Sequence, residues 1–147
     1  MKRTLKLFAL VGALIGSIAT ADACTNFIVT RGASTDGSNM VTYAADSHQL
    51  YGSLYSYVPG KYTEWMDGTE WDTGRAIGKI RQAQTTYRTL GNSNEHSLFI
   101  TETTFGGRPE LEDPNGGIDY GSLIYITLQR AKTAREAIDI IVDLANT

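Results

Sequence analysis

The sequence predicts an α+β fold, in which strands come first along the chain and helices follow. β-Branched and aromatic runs separated by Gly, Asn and Asp fill the region from Cys24 to Phe105. From Asp119 onward the periodicity changes, and from Ala137 the apolar residues recur at helical spacing. Strands followed by packed helices are typical of a layered α+β domain.

The chain opens with a segment typical of a secretory signal peptide. Three basic residues among the first six precede an apolar run from Leu7 to Ile18, and Ala21-Asp22-Ala23 supplies small residues at a cleavage site. The run holds about a dozen residues, fewer than the roughly 20 needed to span a bilayer. We therefore predict a signal peptide over residues 1–23, export to the periplasm or medium after cleavage following Ala23, and no stable membrane association. An uncleaved N-terminal anchor is the alternative.

Charge and cysteine content narrow the classes of function. The formal charge is −3, and removal of the leader leaves ten basic against fifteen acidic residues. This acidic balance does not favour nucleic acid as a partner. Cys24 is the single cysteine, so no internal disulfide can form in this exported chain. Two roles explain such a thiol: a nucleophile that becomes the N-terminal residue, or the attachment point of a lipid.

The lipid role would make the chain a lipid-anchored binding module, with the aromatic strands holding a ligand. Lipoprotein processing usually needs an aliphatic residue three positions before the cysteine and a small uncharged residue two before it. Ala21 and Asp22 occupy those positions here. The run "CTNFIVT" also enters a β-type pattern directly, without a polar tether. The sequence therefore favours the nucleophile.

The first two strands are predicted as a hairpin. "CTNFIVT" (24–30) and "NMVTYA" (39–44) flank the turn-rich stretch "RGASTDGS". A loop centred near Thr35 makes the numbers of facing residues sum to about 70, which places Cys24 opposite Asp46. A shift of one residue would move Asp46 to the other face of the hairpin.

Later elements follow from composition and periodicity. Strands are predicted in "YGSLYSYVP" (51–59), "KYTEWM" (61–66) and "SLFITETTF" (97–105), with turns at Asp67-Gly68 and 92–94 and a polar loop in "RPELEDPNGG". "DYGSLIYITLQRA" suits a buried helix, although a strand remains open. Thr133 and Glu136 predict a capping box. The next helix has an apolar face formed by Ala137, Ile138, Ile141 and Leu144.

An N-terminal cysteine combines a nucleophile with a base. The unperturbed pKa of an α-amine is about 7.7 to 8.0, so part of it is free base at neutral pH. This amine can take the thiol proton and return it to a leaving amine, so a histidine is not required. His48 and His96 lie in no Cys/His pattern and are predicted as surface residues.

Three segments resemble the secreted cysteine dipeptidases of the dipeptidase A type, which belong to the N-terminal-nucleophile hydrolases. They are "ACTNFIVTRGASTDGSNMVTYAADSH", "NEHSLFITETTFGG" and "DYGSLIYITLQRAKTAREAIDIIVDL". The resemblance implies an αββα sandwich, cleavage of dipeptides through a thioester, no metal or other cofactor, and self-assembly into homo-oligomers. An amidase of the same fold that acts on N-acyl compounds, such as bile-acid conjugates or penicillins, is the nearest alternative.

The resemblance also assigns residues. Cys24 matches the nucleophile, and Asp46 matches the aspartate that orients the nucleophile and its amine. Tyr43 stands where many relatives have an arginine beside the thiol; it either donates a hydrogen bond or packs, and strand alternation favours packing because it points away from the Asp46 face.

The position that corresponds to the oxyanion-binding asparagine of related acylases lies around Thr103 and Thr104. Glu102 is a candidate ligand for the ammonium of a dipeptide, with a cross-strand ion pair as the alternative role. A further asparagine and arginine of the related site have no counterpart before Thr147. We therefore expect residues 24–147 to form the N-terminal part of the dipeptidase domain, with an incomplete sandwich and no assured activity alone.

Overall fold

A computed structural model of the chain describes residues 24–46, 52–71, 73–103, 107–111, 113 and 115–146. These residues form an α+β arrangement, as predicted. The strands are β1 (Thr25–Val29), β2 (Met40–Ala44), β3 (Ser56–Tyr57), β4 (Trp65–Thr69), β5 (Ala76–Arg81), β6 (Thr89–Leu90) and β7 (Ser93–Asn94). The α-helices are α1 (Tyr120–Leu128) and α2 (Ala134–Ala145), preceded by a short 3-10 helix (Pro109–Leu111).

Within the described residues the strands pair in three small antiparallel sheets. β1 pairs with β2, β4 pairs with β5, and β6 lies between β3 and β7. The predicted strand over 51–59 is reduced to β3, and the one predicted over 61–66 starts only at Trp65. The long stretch from 67 to 96, for which the pattern gave no clear assignment, supplies most of β4 and all of β5, β6 and β7.

The β1–β2 hairpin forms as predicted, but its register differs by one residue. Thr25 pairs with Ala44 and Asn26 with Tyr43, so the numbers of paired residues sum to 69. Continuing this register places Ala45, and not Asp46, opposite Cys24. The turn causes the difference, because Ala33 and Ser34 both donate backbone hydrogen bonds to the Thr30 carbonyl and shift the loop centre. Tyr43 therefore shares a face with Cys24.

The predicted turn at Asp67-Gly68 is wrong, since both residues lie inside β4. Gly68 pairs with Gly78, and a β-bulge follows between Gly68 and Thr69. A Cβ atom at Gly68 would lie 2.8 Å from side-chain carbons of Ile77 and Ile80. The glycine is thus required by close packing against β5, which a sequence pattern reads as a turn signal.

The strand predicted over 97–105 is absent from its described part, residues 97–103, apart from a single bridge between Ser93 and Phe99. Its backbone is bonded elsewhere: Ile100 exchanges hydrogen bonds with Asn92, at 3.0 Å from the Ile100 amide and 2.8 Å to its carbonyl. The segment instead places Leu98 in the core. Its last residues approach the β1–β2 hairpin.

Both helices form as predicted, including the capping box of Thr133 and Glu136 at the start of α2. Asp119 caps the N-terminus of α1, where its side chain accepts a hydrogen bond from the Ser122 amide. The helices pack on the 98–100 segment around a core made of Leu98, Leu128, Ala131 and Ala137, flanked by Ile100, Ile124 and Ile140. On the predicted apolar face of α2, Ile138 is 54% exposed, so the buried stripe is narrower than the pattern indicated.

Asn94 ties this core to the strands. Its side-chain nitrogen donates to the carbonyls of Leu128 at 2.8 Å and Ala131 at 2.7 Å. Its side-chain oxygen accepts from the amides of His96 at 3.0 Å and Leu98 at 3.2 Å. Asn94 is 8% exposed. A residue that the sequence indicates only as a turn former therefore closes the end of α1 and the 94–98 turn.

No helix in the described part of the chain is both long enough and apolar enough to cross a membrane.

Candidate active site

The candidate site lies on one face of the β1–β2 hairpin, next to Cys24. Cys24 immediately precedes β1 and is half-buried. Side chains two residues apart in a strand point to the same face, so Asn26 follows Cys24 on that face. Tyr43 joins them because it is the direct cross-strand partner of Asn26. The hairpin thus presents a thiol, an amide and a phenol side by side.

The segment containing Glu102 and Thr103 covers this face and is held by three hydrogen bonds. The Tyr43 hydroxyl donates to Glu102 Oε1 at 2.8 Å. The Asn26 side-chain nitrogen donates to the Glu102 backbone carbonyl at 2.6 Å. The Thr103 hydroxyl donates to the Cys24 backbone carbonyl at 3.1 Å. Residues more than 50 positions apart are therefore joined around the thiol.

The environment keeps Tyr43 protonated. Burial raises the pKa of Tyr43 above its ordinary value of 10.0, and the hydrogen bond and negative charge of Glu102 add to this effect. Negative charge on Cys24 or on Tyr120 acts in the same direction. Tyr43 is thus a neutral hydrogen-bond donor to Glu102 across the physiological range. The hydrogen bond that the structure shows for the Tyr43 hydroxyl goes to Glu102.

The other residues predicted for the site are not among the groups that these hydrogen bonds join. Asp46 follows the end of β2 by two residues, is exposed, and makes no hydrogen bond or ion pair with any other described residue. Thr104 and His48 lie outside the described residues. His96 is exposed and meets the Tyr87 ring edge-on, with the ring centroids 4.5 Å apart. The structure therefore brings together Cys24, Tyr43, Glu102 and Thr103 of the predicted set.

Sequence reasoning missed Asn26. Asparagine is depleted in strands, so an asparagine two residues after the cysteine of a β-type run was a signal for a specific side-chain role. Its hydrogen bond to Glu102 supplies that role. The Thr103 hydroxyl, predicted near an oxyanion, is engaged with the Cys24 carbonyl, so in this arrangement it fixes the position of the segment.

A separate groove of about 860 Å³ is lined by residues of β4, β5 and the end of α2, together with Arg130. None of the residues around Cys24 lines it. Among the described residues, no group of three His, Cys, Asp or Glu side chains is arranged to hold a metal ion. On the hairpin face that Cys24 occupies, the fold instead brings together the Glu102 carboxylate and its hydrogen-bond partner Tyr43.

This face of the hairpin holds a thiol, a carboxylate and two hydroxyl groups. The comparison with protein families gives the class of protein to which the chain belongs. The family model described as Peptidase family C69 matches residues 55–147, which is more than half of the chain. The chain therefore belongs to peptidase family C69, and its suspected likeness to dipeptidase A enzymes is confirmed.

The matched region contains Glu102, Thr103 and both helices, and it begins after the β1–β2 hairpin that carries Cys24 and Tyr43. Searches among curated proteins and among solved structures found no match. The peptidase class follows from the family. The hydrogen bonds described above are the basis for the role proposed below for each side chain.

The state of Tyr43 leads to a prediction about stability at high pH. Because its pKa is raised in the folded protein, the unfolded chain loses the phenol proton first as the pH rises above 10.0. The stability present below that pH is therefore lost progressively above it. We expect the difference in unfolding free energy between wild type and Tyr43→Phe, measured with urea, to shrink as the pH rises from 9 to 11.

The exposed Tyr62 provides the matched control. Tyr62→Phe should leave the pH dependence of wild type almost unchanged. A constant difference between wild type and Tyr43→Phe across this range would show that Tyr43 is not held protonated.

Proposed function

We propose that this chain is an exported cysteine dipeptidase in which Cys24, made N-terminal by cleavage after Ala23, forms a thioester with its substrate. The observation that carries the proposal is the convergence of Tyr43, Glu102 and Thr103 around Cys24 in a member of a peptidase family. The proposal includes the αββα sandwich and homo-oligomer that the resemblance implies. The two packed helices and the small antiparallel sheets are compatible with an α+β fold.

The first half of the reaction forms the thioester. The free α-amine of Cys24 takes the proton of its own thiol, and the thiolate attacks the carbonyl carbon of the peptide bond. A C–S bond forms and the carbonyl oxygen gains negative charge. When the tetrahedral intermediate collapses, the C–N bond breaks and the leaving amine takes the proton from the Cys24 ammonium. The C-terminal amino acid of the dipeptide is released.

The second half uses water. The Cys24 amine accepts a proton from a water molecule, whose oxygen attacks the thioester carbon. The C–S bond breaks, the thiol regains its proton, and the N-terminal amino acid leaves as a carboxylic acid. Asp46 would orient the Cys24 amine, which requires the residues after β2 to bring its exposed carboxylate to the new N-terminus. Thr104 or a backbone amide near it would stabilise the oxyanion.

The test starts with the protein exported by a bacterial host from the chain with its own leader. We expect an intact mass equal to residues 24–147, Cys24 as the first residue on N-terminal sequencing, and hydrolysis of members of a dipeptide panel. N-acetylated dipeptides, a penicillin and a bile-acid conjugate are assayed beside them.

Each other outcome has a defined meaning. A mass increased by acyl chains, with the protein in the membrane fraction, would replace the proposal by a lipid-anchored module. Turnover confined to the N-acyl compounds would make the protein an amidase of that specificity. A correctly processed protein that hydrolyses none of these compounds would overturn the proposed activity.

A further inference from the structure

Two side chains that face each other across the hairpin form hydrogen bonds with Glu102. Asn26 and Tyr43 are direct partners in the β1–β2 register. Asn26 holds the Glu102 backbone carbonyl at 2.6 Å, and Tyr43 holds the Glu102 carboxylate at 2.8 Å. Fixing both the main chain and the head group removes most of the freedom of a flexible side chain. The carboxylate is therefore held at one place on the hairpin face that Cys24 also occupies.

The hydrogen bond to Glu102 sets the orientation of the Asn26 side-chain amide. Only the side-chain nitrogen of an asparagine can donate to a carbonyl, so the contact with Glu102 determines which way the amide faces. Its oxygen is then buried without a hydrogen-bond partner among the described residues. A buried acceptor without a hydrogen bond destabilises the folded state. The Asn26 side chain nevertheless keeps its hydrogen bond to the Glu102 carbonyl.

Glu102 has no cationic partner among the residues that the structure describes. Tyr43 donates a hydrogen bond but, as a neutral phenol, brings no positive charge. No Lys, Arg or His side chain forms an ion pair with Glu102 in the described part of the chain, so the alternative role as a cross-strand ion pair is not observed. A half-buried carboxylate is stabilised by a cation, and a group with several N–H donors fits best.

We propose that Asn26 and Tyr43 are positioning residues that fix Glu102 as the specificity-determining group for the free ammonium of a peptide substrate. This inference rests on the proposed function, because it places the ammonium next to the scissile bond that Cys24 attacks. In a dipeptide, the ammonium is separated from the scissile carbonyl carbon by a single Cα atom. A carboxylate fixed next to the nucleophile is therefore within reach of it.

The test compares two substrates that differ only in the ammonium: alanyl-alanine and its desamino analogue, propionyl-alanine. For the processed wild-type protein we expect kcat/KM to favour alanyl-alanine by roughly 10- to 100-fold, which corresponds to a charge-assisted hydrogen bond of about 1.5 to 3 kcal/mol. Glu102→Gln keeps the shape and an acceptor for Tyr43. It should reduce that preference to near unity by raising KM for alanyl-alanine.

The positioning residues are tested by the same ratio. Tyr43→Phe and Asn26→Ala should each lower the preference several-fold, because Glu102 keeps its charge but loses one restraint. A purely structural role would lower both substrates equally and leave the ratio unchanged. Glu64→Gln is the matched control, since it removes an exposed carboxylate and should leave both rates unchanged.

The outcomes separate this inference from the proposed function. If wild type hydrolyses dipeptides but Glu102→Gln lowers both substrates equally, the inference fails and Glu102 acts on the amine of Cys24 instead. If wild type hydrolyses neither compound, the proposed function fails. The dissociation constants of both compounds, measured by calorimetry in Cys24→Ala with and without Glu102→Gln, then still decide the role of Glu102. Equal binding of the two compounds to Cys24→Ala would overturn it.

Discussion

Replacement of Cys24 by alanine is expected to lower kcat/KM for dipeptides by roughly a thousandfold or more. The proposed mechanism draws both the attacking sulfur and the base from this one residue. Alanine retains the N-terminal amine but has no atom that can form the acyl-enzyme. Steady-state assays on the processed protein, with single-turnover trapping of the thioester in wild type, measure the effect.

Cys24→Ser distinguishes chemistry from folding. Serine keeps the size and the N-terminal amine, but its hydroxyl is a far weaker nucleophile at neutral pH, so most of the activity should be lost while the thermal midpoint changes little. The Thr103 hydroxyl bonds to the Cys24 backbone carbonyl, which both substitutions preserve. Hydrolysis that persists in Cys24→Ala at more than a tenth of the wild-type rate would exclude Cys24 as the nucleophile.

Replacement of Asn94 by alanine is expected to give the largest loss of stability, at least about 3 kcal/mol. The substitution leaves the Leu128 and Ala131 carbonyls and the His96 and Leu98 amides without their side-chain partner. Each buried unsatisfied group costs about 1 to 3 kcal/mol, and a small domain has only about 5 to 15 kcal/mol in total. Urea unfolding followed by circular dichroism measures the change.

Asn115 is the matched control because it is an exposed asparagine. Asn115→Ala should change the unfolding free energy by less than about 0.5 kcal/mol. Asn94→Asp tests the donors separately: it keeps an acceptor for His96 and Leu98 but cannot donate to the two carbonyls, so it should be at least as harmful as alanine. A loss below about 1 kcal/mol for Asn94→Ala would mean that water or a shifted backbone replaces its hydrogen bonds.

The elements predicted well from sequence are those whose signals are local. The capping box of Thr133 and Glu136 needs only residues three positions apart, and the apolar spacing of α2 follows from its own turns. The β1–β2 hairpin likewise joins neighbours in the chain. Its register was missed by one residue because the exact path of the turn depends on hydrogen bonds to the Thr30 carbonyl that composition does not reveal.

The elements predicted poorly are those whose partners lie far along the chain. Residues 97–103 have the composition of a strand, yet their hydrogen-bonding groups are taken by Asn92, Asn26 and the Cys24 carbonyl. Gly68 has the composition of a turn, yet close packing against Ile77 and Ile80 places it in β4. In both cases tertiary contacts override the local preference.

For the candidate site, the sequence by itself determined the prediction of the chemistry, from one cysteine behind a small-residue motif, a chain without an obvious Cys/His pair, and segments that resemble a dipeptidase family. The tertiary structure alone decided which side chains meet that cysteine. Tyr43 and Glu102 are 59 positions apart, and Asn26 and Glu102 are 76 apart. Such contacts depend on the register of one hairpin and on the path of a segment that is joined to the strands by a single bridge, between Phe99 and Ser93. Neither is encoded in the spacing of neighbouring residues, because a shift of one residue in a strand reverses every side chain on it.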